Sequence, residues 1–234
     1  MQSPSLSTYK NFNKIRLFIF DLDGTLYDQK KLRRRIVQIL MLRFFSFSIR
    51  PIDLKIISSF RKQRENHKGY SSFAIEKEQY QWCADELKIP VQKVEVCILK
   101  YMYKLPLKFI LSARYPNIEK VFNAIKELNF SIAIYSDYPV QEKLDALHLE
   151  ADVLFNSIDN DPHQLKPSGK AVDFICSKMN ISRDEALLIG DREDTDGESA
   201  RLAGVPFLKV DVQQARNGQF YTNFLQKITT SHGR

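Results

Sequence analysis

Four apolar residues, Leu17 to Phe20, run directly into Asp21, and a second aspartate, Asp23, follows two positions later ahead of Gly24 and Thr25. A short apolar run without alternation reads as a strand buried on both faces, the kind found in parallel sheets covered by helices. Period-2 alternation along an extended chain brings Asp21 and Asp23 to one side, where both reach a single reacting centre. Two carboxylates so placed can hold a hard cation such as Mg²⁺, or one can attack an electrophile while the other moves a proton. A strand that merely ends in a polar turn would contain the same residues. Open α/β sheets, however, bind ligands at the carboxyl ends of their strands, and the aspartates stand there.

Three further polar signals each follow an apolar stretch. Ile132 to Tyr135 leads to Ser136 and Asp137; Leu165 leads to Lys166 and Pro167; Leu187 to Ile189 leads to Gly190 and Asp191, with Asp196 five residues on. In this order and spacing the four resemble the motifs of the haloacid dehalogenase-like (HAD) phosphohydrolase superfamily, across residues 15 to 210.

The resemblance implies a Mg²⁺-dependent phosphatase acting on a small phosphorylated substrate. Asp21 would attack phosphorus to give an aspartyl-phosphate, and Asp23 would protonate the leaving oxygen and then deprotonate water. Mg²⁺ would be held by the Asp21 and Asp191 carboxylates and the Asp23 backbone carbonyl. Ser136 and the Asp137 amide would bind phosphoryl oxygens, and Lys166 would offset the charge of Asp21 and of the transferring group. Asp196 would orient a metal-bound water or Lys166. Gly24 and Thr25 would shape the turn, glycine by backbone freedom and threonine by hydrogen bonding. Asp137 departs from the Asn or Gly common in the family after this serine, which leaves its side chain without an assigned role. Lys170 is an alternative cation, although Lys166 directly precedes proline, as the family's lysine often does. Asp23 argues against the dehalogenase branch. It leaves open a phosphomutase, which uses the same pair, and a non-catalytic phosphate- or partner-binding module on the same fold.

The rest of the pattern predicts a Rossmann-like α/β fold, a parallel sheet flanked by helices, with an inserted α-helical cap. Beyond residue 115 strands and helices alternate: a helix capped by Asn117, a strand Ser131–Tyr135, a helix Val140–Leu149, a strand Asp152–Phe155, a helix Ser168–Met179, a strand Ala186–Ile189, a short helix from Asp196 to Gly204 and a strand Pro206–Val210. Residues 27–114 lack short strands and read as long helices broken at Pro51, Gly69, Pro90 and Pro106. The expected division is a core of residues 1–26 and 115–234 and a cap of residues 27–114, with a frayed tail from Thr229.

Charge follows that division. Residues 27–114 hold 19 Lys and Arg against 8 Asp and Glu, a net of +11, whereas the remainder has a net of −4. A solvated helix surface is the leading explanation, ahead of a field that gathers an anionic substrate and of a nucleic-acid or membrane-surface patch. Arg33, Arg34 and Arg35 with Phe44, Phe45 and Phe47 form the one segment suited to anionic lipid, although such a stripe is more often cap core. No nucleic acid is expected as a partner. The polar stretch Met1–Lys14 lacks the apolar core of a secretory signal, and no apolar run approaches the roughly 18 residues that span a bilayer, so a cytoplasmic location is expected. Cys83, Cys97 and Cys176 read as buried thiols, His67, His148, His163 and His232 lack metal-ligand spacing, Trp82 reads as packing, and Arg192 is a possible substrate contact.

Overall fold

The computed structural model describes residues 12–45, 49–159 and 161–232. Five strands, β1 (Leu17–Asp21), β2 (Ser131–Ser136), β3 (Val153–Asn156), β4 (Ala186–Gly190) and β5 (Phe207–Lys209), form one wholly parallel sheet in the order β3, β2, β1, β4, β5. The register sets Phe20 against Ile134 on one side and Ile189 on the other, so that Asp21, Ser136 and the residues after Gly190 emerge from one edge of the sheet. Strand order reverses at β1, and the crevice outside the carboxyl ends of the strands at such a point is where open α/β sheets bind ligands.

Continuous apolar strands require cover on both faces. Phe18 and Phe20 turn toward α6 (Ile118–Glu127) and α11 (Gln219–His232), where the Phe20 ring lies 5.1 Å from Phe122 and 6.2 Å from Phe224. Leu17 and Ile19 turn the other way, onto Ala171, Val172 and Ile175 of α8 (Gly169–Met179) and Ala200 of α9 (Glu198–Ala203). Two short helices, α7 (Gln141–Ala146) and α10 (Val212–Arg216), complete this part; α7 is shorter than the expected Val140–Leu149.

Within residues 27–114 the described residues form no strand, only α1 (Gln29–Phe45), α2 (Pro51–Asn66), α3 (Ile75–Leu87), α4 (Val91–Ile98), a π turn, Leu99–Lys104, running into α5 (Leu105–Leu107), and a 3-10 turn, Ile110–Ala113. Their entry and exit lie side by side: Tyr27 and Arg114 form an antiparallel bridge, Asp28 N donates to Ala113 O at 2.9 Å, and Tyr115 N donates to Leu26 O at 3.1 Å. The apolar stripe of α1 divides. Leu32, Ile36 and Leu40 are buried at helical spacing, whereas Met41, Leu42, Phe44 and Phe45 are exposed, so only part of it is core.

Three local expectations are corrected. Asn117 does not cap α6 with its side chain; it takes the left-handed conformation and donates to Thr222 Oγ1 at 3.0 Å. Asp196 lies in a π turn, Glu193–Gly197, ahead of α9, because its carboxylate is drawn inward. The chain from Thr229 continues α11 as far as His232. Met1–Asn11, Phe47 and the last two residues lie outside the described residues. The three cysteines are buried free thiols, and among the described residues no helix is long and apolar enough to cross a membrane.

Candidate active site

At the end of β1, Asp21 is buried and Lys166 Nζ donates to its Oδ1 at 2.6 Å. The same ammonium donates to Asp196 Oδ1 at 2.8 Å and lies over the Tyr135 ring. Burial opposes charge on Lys166, yet Asp196 and Asp21 override it and hold the ammonium well above its ordinary pKa. Asp21 is pushed well up, by burial first and then by Asp196 and Asp191, against the pull of Lys166. Asp191 rises to about 6 through burial and the charge of Asp196. Gly24, at φ +108°, has no alternative here, since a Cβ would overlap the Asp191 carboxylate.

Asp23 faces the same cavity but has different partners. Lys143 Nζ on α7 donates to both of its oxygens at 2.7 Å, and the Tyr27 hydroxyl donates to Oδ1. Burial alone would raise the Asp23 carboxyl; Lys143 reverses the sign and holds it below the ordinary value. Sequence reasoning missed Lys143 and Tyr27. Tyr27 is four residues from Asp23, but nothing local singles out Lys143, one of many lysines on solvated helices.

Ser136 is buried and its hydroxyl accepts from Tyr138 N at 3.1 Å. The Asp137 side chain points away from the reacting centre. Its Oδ1 accepts from Lys166 N at 2.9 Å and from Ser157 Oγ at 2.8 Å, so this carboxylate pins the loop that presents Lys166. Its carbonyl accepts from Arg64 Nη2 at 2.5 Å, joining α2 to the sheet edge. The hydroxyl of Thr25, expected to hydrogen-bond, is buried without a partner among the described residues, while its carbonyl accepts from Tyr221. Lys170 is exposed in the first turn of α8, off the cavity wall, and His163 turns Nδ1 to Ile158 O at 2.8 Å. Trp82 stacks on His67 at 3.7 Å, as packing. Asp21, Asp23, Ser136, Asp137, Lys166 and Asp191 all border one cavity of about 470 Å³, roofed by α1 and α2.

The family model described as haloacid dehalogenase-like hydrolase matches residues 15–204. The chain belongs to that family. Among its relatives, a glyceraldehyde 3-phosphate phosphatase of Pyrococcus abyssi (strain GE5 / Orsay) is 26% identical over 198 residues, 82% of this chain and 79% of the relative. The fold is shared with the HAD-hydrolase YfnB from Bacillus subtilis bound to magnesium (TM-score 0.59, 15% identity, 84% of this chain and 89% of that one). It is also shared with a 2-haloacid dehalogenase from Pseudomonas syringae pv. Tomato DC3000 (TM-score 0.57, 14% identity, 85% and 87%).

The residues of this HAD hydrolase fit a divalent cation. Asp21, Asp191 and Asp196 bring carboxylate oxygens within 4.8 Å of one another, and Asp21 Oδ2 and Asp191 Oδ1 are buried without a hydrogen-bond partner among the described residues. Buried carboxylate oxygens left unpaired are costly, and a hard cation satisfies oxygen donors of this kind. Both Asp196 oxygens are taken, Oδ1 by Lys166 Nζ at 2.8 Å and Oδ2 by Arg192 N at 3.1 Å, which leaves Asp21 Oδ2 and Asp191 Oδ1 as the available pair.

Proposed function

We propose that this HAD hydrolase is a phosphatase that cleaves small phosphate monoesters through an aspartyl-phosphate on Asp21. The observation that carries the reading is the pairing at the end of β1: a buried carboxylate with one oxygen held by Lys166 and the other unpaired at the cavity. A phosphate monoester is an unreactive anion, so attack needs a positioned nucleophile and neutralised charge. Lys166 supplies a fixed positive charge beside Asp21, and Asp196 holds that ammonium in place. Ser136 and the Asp137 amide receive phosphoryl oxygens. Asp21, Asp191 and the Asp23 carbonyl would hold Mg²⁺, which would supply positive charge to offset the negative charge shared by nucleophile and phosphate.

Asp23 rests as a carboxylate under Lys143 and Tyr27, the form that deprotonates water in the second step. In the first step the negative charge of the incoming monoester favours protonation of Asp23, which then delivers its proton to the leaving oxygen. Residues 27–114 act as a cap over this chemistry, with α1 and α2 excluding water and contacting the part of the substrate that leaves.

The test is release of inorganic phosphate from a panel of phosphorylated metabolites, with Mg²⁺ or with excess chelator. Release that requires Mg²⁺ is expected. Rearrangement of a phosphosugar without free phosphate would point to a mutase, and no turnover on any member would remove the enzymatic reading.

A further inference from the structure

The cations on the wall of the active cavity are not equivalent. Lys62 donates to Glu86 at 2.8 Å; Lys68 bridges Glu65 at 2.5 Å and Asp194 at 2.7 Å; Arg192 bridges the same two carboxylates. Arg64 is buried, donating to Gln79 and to the Asp137 carbonyl and lying over the Tyr138 ring. Lys166 is committed to Asp21 and Asp196. Arg33 on α1 and Arg61 on α2 have no hydrogen-bond or ion-pair partner among the described residues, although both border the cavity.

These two also border, with Asp23 and Lys143, a smaller adjoining recess of about 90 Å³ whose remaining wall is mostly aromatic and aliphatic, Tyr27, Tyr101 and Tyr138 among it. Arg61 is held below the ordinary guanidinium value, by burial first and then by the charge of Arg33, so the two cations are near enough to oppose each other. Two arginines from different helices, bordering the same two recesses and each without an ion-pair partner among the described residues, form a complement to an oxyanion. Their position relative to Asp23 gives the direction. The leaving oxygen must lie at Asp23 to receive its proton, so the leaving group extends from there toward Arg33 and Arg61.

We propose that Arg33 and Arg61 form a subsite for a second anionic group, a carboxylate or a second phosphate carried on the leaving-group portion of the substrate. The inference rests on the phosphatase reading and narrows it to monoesters that bear a second negative charge. Arg34 and Arg35, adjacent in sequence, border a separate surface recess with Lys31 and Ser112 and take no part. The basic triplet thus divides by helical phase into one residue facing the cavity and two facing away.

The experiment compares three esters of similar size: phosphoglycerate, propanediol bisphosphate and glycerol phosphate, which is uncharged at the remote end. The wild type is expected to favour one or both of the doubly anionic esters over glycerol phosphate by roughly 10- to 100-fold in kcat/KM, the worth of one charge-assisted contact set. Which of the two is preferred separates carboxylate from phosphate. In the double variant Arg33→Gln, Arg61→Gln this preference is expected to collapse toward equality, while Arg34→Gln retains it; the single variants serve the same end should the double fail to fold. Equal use of all three esters by the wild type, or a preference that survives in the double variant, overturns the subsite. Absence of hydrolysis of every ester overturns the phosphatase reading instead, and calorimetric binding of the same three esters then decides the subsite alone.

Discussion

The sheet edge and the helical insertion handle charge in opposite ways. At the carboxyl edge of the sheet, acids and lysines meet as specific partners, Lys166 between Asp21 and Asp196, Lys143 against Asp23, and Asp137 beneath the Lys166 amide, while Asp191 keeps one buried oxygen unpaired. The insertion is net positive where the rest of the chain is net negative, but its ion pairs lie at the surface, such as Lys62 with Glu86, where the side chains are 64% and 30% exposed. Buried pairs lose several kcal/mol when one partner is removed, whereas exposed pairs contribute about 0–1 kcal/mol. Charge density and proposed chemical importance are separate quantities here: the region poorer in cations holds the groups to which the proposed chemistry is assigned.

The strongest attempt to break that contrast is Asp21→Asn. The amide preserves shape but removes the nucleophile, and kcat is expected to fall by roughly 10³-fold or more with the circular dichroism spectrum unchanged. A clean preparation that keeps a tenth of wild-type activity would displace Asp21 from its proposed role. A smaller effect is expected at Asp137, whose side chain reaches the chemistry only by holding the Lys166 loop. Asp137→Ala should lower kcat by about 10- to 100-fold, and Asp137→Asn, which still accepts from Lys166 N, should recover part of the loss. Equal kinetics for the two variants would mean that the carboxylate does not act through that hydrogen bond.

The smallest effect belongs to the insertion. Glu86 accepts from Ser59 at 2.6 Å, Lys62 at 2.8 Å and Gln63 at 2.9 Å, and these donors, Lys62 foremost, lower its carboxyl to about 2. Because the folded value is depressed, the stabilisation is present above the unfolded carboxyl value of about 4.3 and is lost as pH falls from there toward 2. Glu86→Gln should flatten that part of the Tm-against-pH profile and leave kcat at neutral pH unaltered. Superimposable profiles for variant and wild type would show that α2 and α3 do not depend on this contact.

Much of the candidate site was legible because Asp21, Ser136 and Asp191 sit at or directly after the ends of locally recognisable strands. Leu17–Phe20 and Leu187–Ile189 read as strands from composition alone, and a strand end is a place that sequence can specify. The helical character of the insertion was legible for the same reason. Short helices and caps were less so: α7 stops at Ala146, and Asn117 turns its side chain to Thr222, because packing against other elements overrides local preference there.

A parallel α/β sheet with Asp21, Asp23, Ser136 and Asp191 delivered to strand ends was readable from the sequence, since periodicity and turn residues act within a few positions, whereas Lys166 comes from the loop between β3 and α8. Only the tertiary structure decided which cation meets which acid. Lys143 and Asp23 are 120 positions apart, and Lys166 and Asp21 are 145. Only tertiary structure, too, divided Arg33 from Arg34 and Arg35, which are indistinguishable as charges along the chain. The physical reason is that helical phase sets the direction of a side chain, while its partner is set by burial and by the elements packed opposite, which no local pattern encodes.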